Sequence, residues 1–280
     1  MGHDQAKIGN VSGQKREISE VIAEIEALPD DWHGVGSVTP SVPRAIARHA
    51  SLLGKITHSV ETGCRKTTLL FSHLSENHLV FAIDDGLSVT KARTSPILNP
   101  TSVTFVEGLT QVTLPRHEFG YSVQLVLIDG PHGYPFPDLE YFYLFPLIGA
   151  GGLLLLDDIK IPTIRRMYEI IKADETLRLL EVVDDNLAVF ERTDAPGPGL
   201  TSDSWWRQGY NRPYYEELFG DRDADSLGRG LVSPPPKHEN RGARPGLRKI
   251  YRGLSHKLPP SIKSLVPRAL RDRMWRALDQ

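Results

Sequence analysis

The chain has 280 residues, with 33 Lys plus Arg against 35 Asp plus Glu, 40% hydrophobic residues and a single cysteine. One cysteine excludes a disulfide scaffold, and the length is enough to bury a stable core without metals or cross-links. The longest nearly uncharged apolar run, residues 146–156, is about half the ~20 residues a membrane-spanning helix needs, and the opening MGHDQAKIGN lacks a secretory signal's apolar stretch, so a cytoplasmic chain is expected.

In chain order, residues 14–28 and 41–53 read as helices, the second tolerating Pro43 in its first turn and setting Ile46 and Leu53 on one face. Apolar runs of strand length follow at 57–61, 78–84, 102–107, 124–129 and 152–157, alternating with helical patterns, the last at 161–173. Such alternation calls for a parallel sheet covered on both faces. Nearly every strand ends in an acid, and in doubly wound sheets ligands bind beyond the carboxyl ends of the strands. The terminal acids therefore converge on one crevice. Residues 177–183 and 187–191 are separated only by Asp184, Asp185 and Asn186, too short for a parallel crossover, so they form an antiparallel hairpin. An all-parallel dinucleotide-binding sheet has no place for that hairpin.

Beyond the hairpin the composition changes at Pro196-Gly-Pro-Gly199 and again at Pro234-Pro235-Pro236. Residues 201–219 hold Trp205, Trp206, Tyr210, Tyr214, Tyr215 and Phe219, which either pack an extension onto the body or cover an acceptor like a lid. Residues 236–280 carry twelve Lys or Arg against three acids, a net of +9, while the rest of the chain nets −11. Within that tail Ile262, Leu265, Val266, Ala269 and Leu270 have helical spacing. A basic amphipathic helix fits a membrane surface, giving peripheral attachment, or an acidic protein, or a second copy of the chain in a homo-oligomer. Nucleic acid is not an expected partner, because no recognition module accompanies the charge. The expected division is a helical lead (1–55), an α/β domain (56–193), a linker with the aromatic segment (194–235) and the basic tail (236–280).

Two motifs could carry chemistry. The first is Ser59-Val-Glu-Thr-Gly-Cys-Arg-Lys-Thr-Thr-Leu-Leu-Phe71, a strand, one glycine and a helix. A glycine there lets the backbone turn tightly, and the helix start offers free N–H groups to an anion. Lys66-Thr67-Thr68 invites a phosphate-loop reading, but Val60 and Arg65 stand where that loop needs glycines, and a dinucleotide fingerprint fails for the same reason. The second motif is Val126-Leu-Ile-Asp-Gly-Pro-His-Gly-Tyr134 with Gly151-Gly-Leu-Leu-Leu-Leu-Asp-Asp-Ile159 after it. These place Asp129, His132, Asp157 and Asp158 at adjacent strand ends. Three carboxylates so close repel one another, and a hard divalent metal such as Mg²⁺ would relieve them. The alternative is that Asp158 caps the next helix.

VETGCRKTT, IDGPHGY and GGLLLLDDI, in that order with a closing hairpin, resemble class I S-adenosylmethionine-dependent methyltransferases. The resemblance is strongest to the small-molecule and sugar O-methyltransferase group, whose blocks read like VEIGCGxST, IDGxHxY and GGxLxxDD, and it covers residues 60–192. It implies an α/β, doubly wound, mostly parallel seven-stranded Rossmann-like sheet with an antiparallel last strand. It also implies S-adenosylmethionine as cofactor and a small-molecule or glycan-like acceptor whose hydroxyl displaces the methyl group directly. Residue by residue, Glu61, Gly63 and Cys64 match the first block, where the turn approaches the cofactor's methionine part. Cys64 is a small packed side chain rather than a nucleophile. Asp84, with Asp85 as its alternative, would accept hydrogen bonds from the ribose hydroxyls. Gly108 and Leu109 fall where the family places the adenine. Asp129 matches an acid near the sulfonium or, in the metal-dependent branch, the first metal ligand, with Asp157 and Asp158 the other two. His132 matches the general base, with Asp129 beside it in the catalytic pair.

One departure is Arg65, which stands where the family usually has its second glycine. Such a residue cannot take positive φ cheaply and brings a long cation beside the cofactor site. Either Arg65 folds outward or pairs with a carboxylate, keeping an enzyme, or it closes the site and leaves a methyltransferase-like binding protein. A nicotinamide-dependent dehydrogenase is disfavoured by the missing glycines and by the hairpin.

Overall fold

The computed structural model describes residues 16–29, 32, 39–83, 87–199, 205 and 208–214. Two helices lead, α1 (Ile18–Glu26) and α2 (Ser41–Ser51). Then strands and helices alternate: β1 (Ile56–Thr62), α3 (Lys66–Leu74), β2 (Ser75–Ala82), α4 (Ser88–Thr94), β3 (Val103–Glu107), a short α5 (Thr110–Thr113) and β4 (Val123–Ile128). The order continues with α6 (Phe136–Leu144), β5 (Ile148–Leu156), α7 (Pro162–Lys172) and the hairpin strands β6 (Leu177–Val183) and β7 (Leu187–Arg192).

The seven strands form one sheet in the order β3-β2-β1-β4-β5-β7-β6. β1 to β5 are parallel, and β7 is antiparallel to both β5 and β6. Strand order reverses between β1 and β4, which opens a crevice at their carboxyl ends. Both sheet faces are dry because the strand residues alternate between two cores. Val126, Ile128, Leu154 and Leu156 pack with Leu144, Phe145 and Met167 under α6 and α7. Leu125, Leu127, Leu153 and Leu155 face the other way, against Ile25, Ile46, Leu70 and Phe71 of α1, α2 and α3. The leading helices thus complete one layer of the sandwich.

The hairpin turns through Asp184, Asp185 and Asn186, the first two at positive φ (51° and 54°), with the Asn186 N–H donating to the Val183 carbonyl (2.9 Å). Thr39 and Ser41 donate hydroxyl hydrogen bonds to the Asp184 carboxylate, tying the start of α2 to the turn. Two strands begin earlier than their hydrophobic pattern indicates. β2 starts at Ser75, with exposed Glu76 and Asn77, and β5 starts at Ile148 and runs through a glycine stretch with a register shift between Val123 and Leu125 of β4. Trp205 packs its ring 5.1 Å from Phe142 and 6.0 Å from both Tyr141 and Phe145, so this member of the aromatic segment secures the extension to α6. Trp206, Tyr215, Phe219 and the basic tail lie outside the described residues. Among those described, no helix is long and apolar enough to cross a membrane.

Candidate active site

Gly63 follows β1 at φ +83°, and a Cβ there would lie 2.3 Å from the Asp129 carbonyl oxygen. Only glycine lets the β1 turn pass so close to the end of β4. Its N–H donates to the Phe81 carbonyl (2.8 Å), which holds the turn against β2. Beneath the turn Glu61 is buried, accepting the Thr68 hydroxyl hydrogen bond and facing His78 Nε2 at 3.4 Å. His78 Nδ1 pairs with Ser59 Oγ (2.8 Å), which pairs with Ser75 Oγ (2.6 Å). Thr68 also accepts the Arg65 N–H (3.1 Å), so Glu61 shapes the turn from below.

A cavity of about 380 Å³ opens above the turn, lined among others by Gly63, Cys64, Arg65, Thr110, Asp129 and His132. Arg65 sits just before α3 in extended backbone (φ −142°), and its Nε lies 3.2 Å from Asp129 Oδ2. The expected backbone strain at Arg65 does not arise, because this position does not require positive φ. Lys66 turns the other way, donating from Nζ to the Leu28 carbonyl at the end of α1 (3.0 Å).

His132 Nε2 lies 3.0 Å from Asp158 Oδ2 and 3.8 Å from Asp129 Oδ1. The Thr163 hydroxyl of α7 donates to the His132 carbonyl, fixing the loop. Asp129 and Asp158 together raise the imidazole pKa to about 10, so it is protonated as found. His132 in turn, with Asn186, lowers Asp158. Burial raises Asp129, against the pull of His132 and Arg65. Asp129, His132 and Asp158 each offer a ligand atom within 4.8 Å of the others, and Asp129 Oδ1 has no hydrogen-bond partner among the described residues. Two carboxylates, one of them with its orphaned oxygen, suit a hard divalent cation, while the imidazole beside them is a donor for softer metals.

Asp157 was expected in that cluster, but His132 takes its place. Asp157 Oδ1 accepts the Asp158 N–H (2.8 Å) and the Asn186 amide (3.0 Å), and burial raises its pKa. Asp158, at φ +57°, does not cap α7, which begins after Ile161. Glu61 is corrected from cofactor contact to support of the turn, since it is buried and does not line the cavity. Gly108, at φ +139°, and Leu109, 47% exposed, stand beside Thr110 of the cavity wall. Asp84 and Asp85 lie outside the described residues.

Sequence reasoning missed Glu140. Its Oε2 accepts the Thr62 hydroxyl (2.8 Å), Thr62 Oγ1 accepts the Asp129 N–H (3.1 Å), and a Cβ on Gly130 would overlap Glu140 Oε1 at 2.0 Å. Burial lifts this acid to about pH 7, against the pull of the Thr110 and Thr62 hydroxyls. The signal was present: Pro137, Glu140, Tyr141 and Leu144 share one buried helical face, an odd place for a charge.

The crevice thus lies where the strand order reverses, in a sheet closed by one antiparallel strand. This is the class I methyltransferase fold. No family model and no curated protein matches the chain. Solved structures similar to it include a putative O-methyltransferase from Klebsiella pneumoniae, at 13% identity and TM-score 0.49, over 65% of this chain and 92% of that one. An O-methyltransferase from Bacillus cereus in complex with SAH is 14% identical, with TM-score 0.46, over 65% and 91%. The MycE methyltransferase, solved with Mg, SAH and mycinamycin VI, is 14% identical with TM-score 0.44, over 66% of this chain and 57% of that one. Such likenesses concern the methyltransferase fold and not its chemistry.

Proposed function

We propose that this protein is an S-adenosylmethionine-dependent O-methyltransferase acting on a hydroxyl of a small-molecule or glycan-like acceptor. The observation that carries this reading is the meeting of the Gly63 turn, Asp129 and His132 on one cavity at the strand-order reversal. When bound, S-adenosylmethionine supplies a methyl group on a sulfonium, so the protein needs no covalent intermediate. Gly63 lets the cofactor approach the backbone, and Asp129 presents an orphaned carboxylate oxygen to its positive charge. Asp84 is assigned the ribose hydroxyls, with Gly108 and Leu109 at the adenine.

On the acceptor side, a hydroxyl is a poor nucleophile at neutral pH, and His132 is the group placed to remove its proton. The carboxylates that hold the imidazole protonated must be offset by positive charge before it can serve as base. In a metal-dependent reaction Asp129 would instead join Asp158 in holding Mg²⁺, whose charge would offset the carboxylates around His132 and lower the pKa of a coordinated hydroxyl. Tyr134, 68% exposed, with Arg166 5.9 Å from its ring centroid, forms a wall suited to stacking an acceptor.

The test is transfer of labelled methyl from S-adenosylmethionine to a panel of hydroxylated acceptors, with and without Mg²⁺. Label should pass to at least one acceptor. Tight cofactor binding with no transfer to any acceptor would instead favour a non-catalytic binding protein, for which the Arg65 side chain in the cavity speaks.

A further inference from the structure

Glu140 of α6 is an acid that neither the cofactor nor the acceptor assignment uses. It is 1% exposed and shares a helical face with Pro137, Tyr141 and Leu144, where an apolar side chain would pack without a desolvation cost. Burial pushes its carboxyl up, against the pull of the Thr110 and Thr62 hydroxyls, so above neutral pH the acid lowers stability where it stands. Holding the fold together is therefore not what it does best.

Its contacts run instead to the strand ends that form the cavity. The Thr62 hydroxyl at the end of β1 donates to Glu140 Oε2 (2.8 Å), and the same Thr62 oxygen accepts the Asp129 N–H at the end of β4 (3.1 Å). A hydroxyl has one hydrogen, so committing it to the carboxylate leaves the oxygen's lone pairs for Asp129. A Cβ on Gly130 would lie 2.0 Å from Glu140 Oε1 and 2.4 Å from Oε2, so the carboxyl fills the space beneath that backbone. Asp129 and Gly130 line the cavity, whereas Thr62 and Glu140 stand behind it.

We propose that Glu140 is a positioning residue for the cofactor site, holding Asp129 through the Thr62 hydroxyl and bracing Gly130 from beneath. It acts on the cofactor only through those neighbours. A buried acid that costs stability thus fixes the carboxylate that faces the sulfonium. This inference rests on the S-adenosylmethionine reading and deepens it.

The experiment is calorimetric titration of the full chain with S-adenosylmethionine, with urea unfolding of each variant alongside. Glu140→Met keeps an unbranched side chain but removes both acceptor oxygens, and Thr62→Val removes the hydroxyl that relays the contact. Each should weaken S-adenosylmethionine by about tenfold, the scale of one lost hydrogen bond. The double variant should lose no more than either alone, because both cut one path. Glu140→Gln, with an oxygen still able to face Thr62, should bind within about threefold of wild type. Wild-type affinity in a folded Glu140→Met overturns the assignment, as do losses that multiply in the double variant. Affinities that merely follow the urea midpoints across the variants also overturn it, since the acid is then structural. If Glu140→Met does not fold, Thr62→Val decides alone, and unchanged affinity there overturns the assignment. Failure of wild type to bind S-adenosylmethionine is a different result, which removes the cofactor reading itself and this inference with it.

Discussion

At position 63 a side chain has nowhere to go, because its Cβ would meet the Asp129 carbonyl at 2.3 Å and the backbone is already left-handed. Gly63→Ala should therefore abolish S-adenosylhomocysteine binding and destabilise the fold by about 1–3 kcal/mol for the strained backbone alone. Calorimetry and urea unfolding check the two parts. His132 makes a different prediction, since it lies at the cavity rim and is held by Thr163 through its backbone. His132→Asn should lower turnover roughly 100-fold or more while leaving S-adenosylhomocysteine affinity within a few-fold, as expected when a general base is removed. Equal losses in affinity and turnover would show that His132 binds the cofactor instead.

Among the elements, the hairpin is the clearest local device. Asp184 and Asp185 both hold positive φ, but only Asp184 has work for its side chain, accepting from Thr39 and Ser41. Asp185→Gly should thus remove the Cβ penalty without losing a side-chain contact, raising stability by about 1 kcal/mol and the thermal midpoint with it. Asp184→Gly should not gain in this way, because it frees α2 from the turn. The hairpin and the alternation of strands and helices were legible in the sequence, since each is a local pattern, whereas of the strand-terminal acids expected to converge Glu61 lies beneath the turn, Glu107 pairs with Arg93 and Asp129 lines the cavity. The early starts of β2 and β5 were not legible, because Glu76, Asn77 and the glycines after Ile148 carry no strand signal, and the strands are extended there by the pairing of Ser75 and Asn77 with β1 and of Ile148 with Val123. The same limit separates Asp129 and His132, visible in one short motif, from the exchange of Asp157 for His132 in the cluster. Asp157 and Asp158 there share the Asn186 amide, 29 and 28 residues away in the turn between β6 and β7, a contact that no local pattern shows. Glu140 was legible in principle as an acid on an apolar helical face, but its partner Thr62 is 78 residues distant.

For the whole molecule, Glu140 couples the site to stability. Its pKa rises from an ordinary 4.5 to about 7 on folding, so the native state binds the proton more tightly than the unfolded chain. Stability is then greatest below pH 4.5 as far as this group is concerned, falls as pH rises through about 7, and levels off above it. Glu140→Gln, nearly isosteric with the protonated acid, should match wild type near pH 4.5 and exceed it at pH 8 by on the order of 3 kcal/mol. Urea midpoints at the two pH values measure this. A wild-type advantage at pH 8 would mean that the ionised carboxylate is stabilised by its hydroxyl partners and not merely tolerated.

The central claim is that the cavity over the Gly63 turn is an S-adenosylmethionine site. Titration of the full chain with S-adenosylhomocysteine tests it most directly, because it needs no acceptor and no catalysis. One site per chain in the micromolar range, near −8 kcal/mol, is the predicted result. No binding heat at millimolar ligand, with the chain folded, would contradict it.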